Sequence, residues 1–500
     1  MDKNPFSLAV GEWYERPDRV PVSYDYEKVV RGLLKEGWSA RRSGVWLHAE
    51  GPTKTVPIQG FKIHVSSAPD CAAEVLTAVG RECVARGIDF KCVAGPELHA
   101  LQNGKNYHRS GGGKFITVYP PDDAAFVETI QALHERTSGQ GFFGPYVLSD
   151  KRYRDSEIVF YRYGGMRTIR MLGVDGKKSG VLLTPDGGFE PDVRNPYFTL
   201  PDWVEDPFPS EPEASDRVLE DRFEVTAALA TSNRGGVYEA TDLVTGSTVI
   251  LKEARPHINR TVLETTVVDS QSLLAHEHDI LQRLRHLPFT PDPVALFSEW
   301  EHLFLAQERI DGTVLRRALT TRENLWIPYV RRRDSLSGFL PRFRKLALSI
   351  LDALERIHEA GVIVGDLSSN NLLVDLDTWD VAMIDFEGAA RVGEDDDLMP
   401  FLAKWATPGF THPDRAFRSK VTFEDDYFAA SRVLMHALVR TANLFQLKPE
   451  GPSEFMAFLR ELGLPGWAAE TIEAVRDGDF ERARGSLSIG GALESPVGAA

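Results

Sequence analysis

Two acids and one amide in the second half of the chain have the types and spacing that phosphoryl transfer requires. Asp366 precedes an apolar run at residues 371–374, Asn371 opens that run, and Asp385 closes a second apolar run at residues 381–384. Transfer to a hydroxyl needs a carboxylate that orients the hydroxyl and accepts its proton, and oxygen ligands for Mg²⁺ on the nucleotide phosphates. Two loops that carry these acids by chance would show the same pattern. The residues upstream are therefore needed to distinguish a phosphoryl-transfer site from such loops.

The order of these residues follows the signature of protein kinases, which is D-x-x-x-x-N and then D-F-G. The segment D-L-S-S-N-N at residues 366–371 fits, and D-F-E at residues 385–387 fits with Glu in place of Gly. Upstream, Lys252 ends a predicted strand and Glu277 lies on the next predicted helix, where the two can pair and aim the ammonium at the α- and β-phosphates. The predicted strands before residue 310 and helices after residue 340 are typical of a bilobal kinase.

The nucleotide loop of this predicted kinase is degenerate. A kinase Gly-rich loop reads G-x-G-x-x-G-x-V, and only Gly235 and Val237 match, with Ala230 and Ser232 in place of the first two glycines. An ordinary hairpin explains this segment equally well. We assign these four residues, together with Lys252 and Glu308, to nucleotide binding.

Two departures from the protein-kinase pattern concern regulation. Val364 and Gly365 stand where protein kinases carry His-Arg, the Arg of which normally pairs with a phosphorylated activation loop. Between Asp385 and Thr407 there is no Ser, Thr or Tyr. We therefore predict a kinase that is always active or is gated by its substrate. The acids at residues 394–397 are interpreted as a solvated turn.

Composition describes a globular protein with two differently charged parts. Of the 500 residues, 42% are apolar, without any run of about 18 that could span a membrane. Residues 1–200 carry a net charge of +2 and residues 201–500 one of −18, so nucleic acid is not an expected partner. The three cysteines lack C-x-x-C spacing, which predicts neither a disulfide framework nor zinc. The start is not a signal peptide, so we expect a cytoplasmic protein.

The first part of the chain carries a second set of residues suited to phosphate chemistry. Lys62 and His64 are two apart on a predicted strand and so share a face. The other members of the set lie on neighbouring strands and loops: Lys91, Arg109, Lys114, Tyr119, Arg152 and Arg162. Each alone is an ordinary surface residue. Around one phosphate dianion they could eliminate phosphate from phosphoserine or phosphothreonine, because a lysine of lowered pKa can remove a proton beside a carbonyl and a protonated histidine can protonate the leaving oxygen.

Both parts together resemble the class III lanthionine synthetases, and more loosely class IV. The motifs that carry the resemblance are Q-G-F-K-I-H-V-S-S (59–67), R-S-G-G-G-K-F-I-T-V-Y-P (109–120), G-P-Y-V-L-S-D-K-R-Y (144–153), Y-R-Y-G-G (161–165), S-N-R-G-G-V-Y-E-A (232–240), L-K-E-A-R-P (251–256) and D-L-S-S-N-N (366–371). In that family, a module similar to bacterial effector phosphothreonine lyases precedes a Ser/Thr kinase module. The kinase phosphorylates a ribosomally made precursor peptide, and the lyase eliminates the phosphate to leave dehydroalanine or dehydrobutyrine.

The resemblance implies roles for the residues singled out above. In the lyase, Lys91 would be the general base and His64 the general acid. The phosphate or the developing enolate would be held by Lys62, Arg109, Lys114, Tyr119, Arg152 and Arg162. In the kinase, Lys252 and Glu277 would form the ion pair, Asp366 would be the base, and Asn371 and Asp385 would hold Mg²⁺. ATP or another nucleoside triphosphate would be the phosphoryl donor.

The expected fold class is α+β and multidomain. We predict a phosphothreonine-lyase-like domain at 1–205, a linker at 206–220, a kinase N-lobe at 221–310, a C-lobe at 311–485 and a tail at 486–500. The family continues into a cyclase domain, whereas this chain stops at Ala500. Ring closure is therefore expected from a separate or deleted cyclase.

Three other functions compete with a bifunctional dehydratase. One is a Ser/Thr kinase whose first domain only binds phosphopeptides. Another is a pseudokinase scaffold, which the intact Lys252, Asp366, Asn371 and Asp385 disfavour. A third is a small-molecule phosphotransferase, since Gly365-Asp366 resembles that group, although it would leave the first domain without a purpose.

Overall fold

The computed structural model describes most of the chain. The described residues are 9–10, 13–14, 21–53, 56–167, 169–173, 176–209, 218–263, 266–321, 333–393, 397–405, 407–439, 448 and 450–494. The acids at residues 394–396, part of the predicted linker and the end of the predicted tail lie outside them. Among the described residues, no helix combines the length and the apolar content needed to cross a membrane.

The first domain is built on a seven-stranded antiparallel sheet. Its strands are β3 (Ser39–Ser43), β4 (Trp46–Glu50), β5 (Gln59–Val65), β6 (Phe90–Val93), β7 (Ile116–Val118), β8 (Lys151–Arg152) and β9 (Val159–Gly165), in the order β3-β4-β6-β7-β5-β9-β8. The domain has two smaller sheets as well. In one, β1 (Ala9–Val10) pairs with β2 (Trp13–Tyr14), and the other is a meander of β10 (Arg170–Leu172), β11 (Lys178–Leu183) and β12 (Phe189–Pro191).

In the described chain, four helices belong to this domain: α1 (Asp25–Leu33), α2 (Ala72–Arg86), α3 (Pro96–Gln102) and α4 (Asp123–Thr137). Two of them, α2 and α4, pack on one face of the sheet. On the central strands, alternate residues such as Ile63, Phe90 and Ile116 enter the buried core that α2 and α4 complete. Because side chains alternate along a strand, the residues between them point to the opposite face.

The second domain begins with a six-stranded antiparallel sheet. It contains β13 (Val218–Leu219), β14 (Phe223–Thr231), β15 (Gly236–Asp242), β16 (Thr248–Ala254), β19 (Pro293–Glu299) and β20 (His302–Glu308), in the order β13-β14-β15-β16-β20-β19. The hairpin β17 (Thr261–Val262) and β18 (Val267–Val268) and helix α5 (Ser270–Leu284) lie between β16 and β19. Asp269 caps α5 by accepting hydrogen bonds from the amides of Gln271 and Ser272, at 3.0 Å each.

A helical lobe follows. Its helices are α6 (Leu315–Ala318), α7 (Arg333–Glu359), α8 (Met399–Leu402), α9 (Phe423–Leu438), α10 (Gly451–Glu461), α11 (Gly466–Arg476) and α12 (Phe480–Glu494). The short strands β21 (Thr313–Val314), β23 (Leu372–Val374) and β24 (Val381–Met383) form one sheet, and β22 (Val362–Ile363) pairs with β25 (Ala390–Arg391). The largest apolar core of the described chain joins α7, α9 and α11 to these strands.

The α+β multidomain class and the order of a first domain before a bilobal kinase are confirmed. Two segments differ from the predicted boundaries. Phe208, in the predicted linker, packs edge-on against Tyr153 and Tyr161, since burying an aromatic ring stabilises that segment on the first domain. Helix α12 continues to Glu494, so the first part of the predicted tail is helical.

Candidate active sites

The predicted kinase ion pair forms between the sheet and helix α5. Lys252 on β16 donates to Glu277 Oε1 at 2.6 Å and to Asp385 Oδ1 at 3.1 Å. Glu277 Oε1 also accepts the backbone N–H of Phe386 at 2.9 Å. The strand, the helix and the segment after β24 are thereby held together by one buried ammonium and two carboxylates.

Burial and charge act in opposite directions on these groups. Burial alone would lower the pKa of Lys252, but Asp385, Glu277 and Glu387 raise it above its ordinary value, so the lysine stays charged. Burial raises the pKa of Glu277 to about 7, against the opposing effect of Lys252. Burial would also raise the pKa of Asp385, but Lys252, Lys105 and Arg234 outweigh it and keep this carboxylate ionised.

Asp366, the predicted base, is held in place by two donors from a later segment. Its Oδ2 accepts the indole N–H of Trp405 at 2.9 Å, and its Oδ1 accepts the Thr407 hydroxyl at 2.5 Å. Burial raises the pKa of Asp366 to about 6, against these hydrogen bonds, which lower it. The carboxylate is therefore ionised at neutral pH and still basic enough to accept a proton.

The backbone before Asp366 explains why Gly365 replaces the arginine of protein kinases. Gly365 has φ +72°, and a Cβ there would lie 2.1 Å from the carbonyl oxygen of Gly388. Its N–H donates to Asp426 Oδ1 and that of Val364 donates to Oδ2, both at 2.8 Å. Asp426, from the first turn of α9, therefore positions the catalytic loop, and a side chain at residue 365 has no space.

The oxygen donors here fit a divalent cation. Carboxylate oxygens of Glu277, Asp385 and Glu387 lie within 4.8 Å of one another. The amide nitrogen of Asn371 donates to the backbone oxygen of Asp366 at 2.9 Å, so its oxygen is left as a ligand. Asp385 has φ +71°, a conformation that non-glycine residues adopt rarely and that is often found at functional sites. Glu277 is fully buried whereas Asp385 and Asn371 are only partly buried, so these two remain the candidates that the sequence predicted.

The degenerate loop between β14 and β15 is a tight hairpin. Ala230 pairs with Val237 across the strands, and the amide of Ser232 donates to the oxygen of Gly235 at 2.8 Å. A Cβ on Gly235 would lie 1.8 Å from the oxygen of Glu253, so only glycine fits. Glu308 is exposed at the end of β20, where its carboxylate accepts the amide of Asp292 at 3.4 Å.

Glu387, which replaces the glycine of D-F-G, has a partner that the sequence analysis missed. It forms a buried ion pair with Arg234 from the β14–β15 loop. Burial would lower the pKa of Arg234, but Glu387 and the other acids raise it. The pair joins the loop over the nucleotide pocket to the D-F-E segment. The sequence held one signal for this pair. The motif has an acid where glycine is expected, and such an acid needs a cation from the same domain.

We expect Glu387→Gln to destabilise the kinase domain by about 3 kcal/mol, because it leaves the Arg234 charge buried without a counterion. The measurement is the midpoint of thermal unfolding. Glu454→Gln removes the acid of an exposed ion pair with Lys448 and serves as the matched control, with an expected change below about 1 kcal/mol. Equal midpoints for the Glu387 variant and the unaltered chain would contradict the buried pair.

In the first domain, strand register brings the predicted acid and base into one row. Thr117 on β7 lies opposite Lys91 on β6 and opposite His64 on β5. Directly opposite residues of an antiparallel pair point to the same face. Lys91 and His64 are therefore two strands apart, about 10 Å between backbones, with the buried Thr117 between them. This face is opposite to the one on which α2 and α4 pack.

A buried aspartate to which the sequence analysis gave no role lies beside the predicted acid, His64. Asp150 is fully buried, and it contacts His64 Nδ1 through one oxygen and Lys114 Nζ at 3.1 Å through the other. Lys114 also donates to the Ser149 hydroxyl at 2.8 Å. Burial would raise the pKa of Asp150, but His64, Lys114 and Arg162 hold it far below its ordinary value. Burial lowers the pKa of His64 to about 3, against Asp150, so the imidazole is neutral before substrate binds.

The lysines of this pocket have lowered pKa values. Burial and the charges of Arg194 and Lys114 lower the pKa of Lys91 to about 8. Its ammonium lies 4.3 Å from the ring centre of Trp46 and 5.8 Å from that of Tyr119. Burial lowers the pKa of Lys114 to about 8 as well. A lysine that is partly neutral near pH 7 can act as a base.

Lys62 and Arg162 complete the pocket floor opposite each other on β5 and β9. Lys62 donates to the oxygen of Gly165 at 2.7 Å, and Arg162 pairs with Asp192 at 2.8 Å. Burial and Arg162 lower the pKa of Lys62 well below its ordinary value. Burial raises the pKa of Tyr119, so its hydroxyl keeps its proton. Arg194, also missed from the sequence, is exposed beside this pocket and forms no ion pair with another described residue.

Comparison with known families agrees with the two domains and their order. Residues 26–219 match the family described as RamC, N-terminal domain, and residues 223–462 match the family described as protein kinase domain. The chain is a RamC N-terminal domain followed by a protein kinase domain. This order confirms the resemblance to class III lanthionine synthetases that the sequence motifs indicated.

Curated relatives extend the comparison. A probable SapB synthase of Streptomyces coelicolor is 37% identical over 80% of this chain and 43% of its own length. A probable serine/threonine-protein kinase of Corynebacterium efficiens is 26% identical over 43% of this chain and 30% of its own. The serine/threonine-protein kinase pkn3 of Myxococcus xanthus is 25% identical over 45% and 39%. The chain spans less than half the length of each of these relatives.

Two of the predicted phosphate-binding residues of the RamC domain lie at its contact with the kinase domain. Arg109 donates to Glu253 at 3.3 Å, and Arg152 pairs with Glu301 at 2.5 Å. The Arg152 guanidinium also lies 5.6 Å from the ring centre of Trp300. Both arginines are thus paired with acids of the kinase N-lobe, although Arg152 lies in the same row of the sheet as His64, across Phe160.

Proposed function

We propose that this chain dehydrates Ser and Thr residues of a peptide in two steps. The kinase domain phosphorylates the hydroxyl, and the RamC domain eliminates the phosphate to leave dehydroalanine or dehydrobutyrine. The observation that carries this proposal is the pocket in which a lysine of lowered pKa and a histidine face each other across one strand, beside further cations. A domain that only bound phosphopeptides would not need a lysine with a pKa near 8 beside a buried His–Asp pair.

The first step uses the kinase residues in separate roles. Asp366 orients the Ser or Thr hydroxyl and accepts its proton, while Lys252, fixed by Glu277, binds the phosphates of the nucleotide. Asn371 and Asp385 would hold Mg²⁺, which neutralises charge on the phosphates. The oxygen of the hydroxyl forms the new P–O bond as the bond from the terminal phosphorus to the nucleotide diphosphate breaks. The products are a phosphopeptide and the nucleoside diphosphate.

The second step breaks a C–H and a C–O bond of the phosphorylated residue. Neutral Lys91 takes the Cα proton, the electron pair forms the Cα–Cβ double bond, and the Cβ–O bond to phosphate breaks. His64 gives a proton to the leaving oxygen. Lys62 and Tyr119 lie where they can stabilise the enolate-like charge that develops on the carbonyl. Neither a nucleophile nor a metal takes part.

The bound substrate would raise the pKa of His64 and so allow it to act as the acid. His64 is neutral in the free pocket, because burial and the nearby lysines lower its pKa. A phosphate dianion bound by Lys114, Arg162 and Arg194 would bring negative charge beside the imidazole and raise that pKa. Asp150 holds Nδ1, so Nε2 is the nitrogen that can carry the proton toward the leaving oxygen.

The donor is proposed to be ATP or another nucleoside triphosphate, and the partner a ribosomally made precursor peptide with Ser and Thr residues. The name of the SapB synthase relative says that it makes SapB, and we propose a related peptide as the substrate of this chain. We propose that the reaction takes place in the bacterial cytoplasm, where peptide and nucleotide are available.

Mass spectrometry of a peptide incubated with the chain, Mg²⁺ and ATP tests this function. Each modified residue should lose about 18 Da, with a transient gain of about 80 Da from phosphorylation. Accumulation of the heavier product alone would indicate a kinase with a phosphopeptide-binding first domain. No mass change in any Ser- or Thr-containing peptide, including one encoded beside the chain, would refute the proposal.

Elimination from a synthetic phosphopeptide should become faster as the pH rises, reach half its maximum near pH 8 and level off above that pH, because Lys91 must lose its proton to act as the base. The groups that face it are His48 across the β4–β6 pair, Tyr119, Lys114 and Arg194. Arg194→Ala removes a positive charge, so it should move the midpoint of the profile to higher pH. A flat profile from pH 6 to 9 would be inconsistent with lysine as the base.

A further inference from the structure

One loop of the RamC domain reaches the kinase active site. It consists of residues 103–114, which begin after α3 and end with Lys114 in the RamC pocket. Asn233 of the kinase is fully buried, and its side-chain amide donates to the oxygens of Gln102 at 3.2 Å and Gly104 at 3.0 Å. The N–H of Asn259 donates to the oxygen of Asn103 at 2.8 Å. The kinase domain therefore fixes the start of this loop.

The far end of the loop is equally close to the kinase. A Cβ on Gly112 would lie 1.9 Å from the Asn233 side-chain oxygen, so no larger residue fits without displacing that contact. Next to Asn233, Arg255 is almost fully buried and donates to the Asn233 backbone oxygen at 2.7 Å. Both ends of the loop thus pack on one kinase hairpin, and the residues between them are held in place.

Lys105 is the residue of this loop that faces the catalytic centre. Its ammonium lies 5.9 Å from the ring centre of Trp405, whose N–H donates to Asp366 at 2.9 Å. The charge of Lys105 is close enough to lower the pKa of Asp366 and of Asp385. None of the ion pairs formed within the described part of the chain involves Lys105, so its charge is available for a ligand.

The kinase catalytic loop lacks a cation of its own. Residues 364–371 read V-G-D-L-S-S-N-N, without Lys or Arg. Lys252 is tied to Glu277 and Asp385, and Arg234 is tied to Glu387. The phosphoryl group that passes from nucleotide to hydroxyl carries negative charge on its oxygens, and a fixed cation beside it lowers the barrier. Lys105 places beside Asp366 and Asp385 a cation with which no described carboxylate pairs.

We propose that Lys105 of the RamC domain is a catalytic residue of the kinase domain and binds the phosphoryl group during its transfer. This role rests on the proposed phosphorylation step. It makes the kinase incomplete without the RamC domain, since its catalytic cation comes from the other domain. It also gives one loop a residue in each active site, with Lys105 in the kinase and Lys114 in the lyase.

Lys105→Ala and Lys105→Arg in the full chain test this role. In the alanine variant, kcat for peptide phosphorylation should fall about 100-fold with a smaller change in KM for ATP, and arginine should restore part of it. The second readout does not need turnover: the ratio of affinities for a non-hydrolysable ATP analogue and for ADP should fall in Lys105→Ala, since the lost contact is with the terminal phosphate. Lys35→Ala, an exposed lysine of the same domain, is the matched control.

The possible outcomes separate this role from the proposed function. Lys105→Ala should still eliminate phosphate from a synthetic phosphopeptide, which shows that the RamC domain is folded. Phosphorylation within about twofold of the unaltered chain, with an unchanged affinity ratio, would overturn the role of Lys105 alone. Absence of phosphorylation by the unaltered chain would instead refute the proposed function, and this role with it.

Discussion

Lys91→Ala is expected to convert the chain from a dehydratase into a kinase that accumulates phosphopeptide. Without its base, the RamC domain cannot take the Cα proton, and positioned general bases contribute about 10²- to 10⁴-fold to such steps. The phosphorylation rate should stay unchanged, because Lys91 lies in the sheet of the first domain and its described strand and ring contacts are all with residues of that domain. Mass spectrometry should show the gain of about 80 Da in place of the loss of about 18 Da.

The same assay carries its own controls. His64→Ala should give the same phosphopeptide product, since the leaving oxygen then lacks its proton donor. Lys35→Ala, an exposed lysine far from the row of Lys91 and His64 in sequence, should dehydrate normally. Dehydration at an unaltered rate in both pocket variants would remove the basis for a lyase in this domain.

Asp366→Asn is expected to have the opposite effect. The amide keeps the shape of the side chain and the N–H donor of Trp405 nearby, but it cannot accept the hydroxyl proton. Phosphorylation should fall by about 10³-fold, while a phosphopeptide supplied from outside should still be dehydrated. The measurement follows both reactions in one sample, with ³²P transfer for the first and mass loss for the second.

Asp377→Asn is the matched control for this variant, since Asp377 is an exposed acid in the turn between β23 and β24. It should leave both reactions unchanged. If Asp366→Asn kept more than about a tenth of the phosphorylation rate, a different group would have to be the base. If it also lost elimination, the two steps would depend on one site, contrary to two separate pockets.

The kinase domain was largely predictable because its signature is local. Asp366 and Asn371 lie within six residues, and Asp385 ends the next strand, so the linear motif already carries their geometry. The family match over residues 223–462 agrees with that reading. What the motif could not predict was the pairing of Glu387 with Arg234, because the two residues meet only when the hairpin folds over the nucleotide pocket.

The group of residues around Lys91 and His64 in the RamC domain was predictable only in part. Alternation along β5 placed Lys62 and His64 on one face, which the strand in the structure agrees with. The position of Lys91 opposite His64 across Thr117 depends on the pairing of three strands, and Asp150 reaches His64 from a distant loop. Neither the strand order nor a buried contact between distant residues follows from local periodicity.

The sequence alone predicts two domains in a fixed order, each with residues suited to phosphate chemistry, because the residue types and short spacings that such chemistry needs lie within single strands and loops. Only the tertiary structure showed which charged groups each of the predicted cations meets. Arg109 and Arg152 pair with Glu253 and Glu301 of the kinase domain, and Lys105 faces the kinase centre. The physical reason is that a cation pairs with whichever opposite charge the fold brings near it. The distance between the two charges is set by the packing of the two domains.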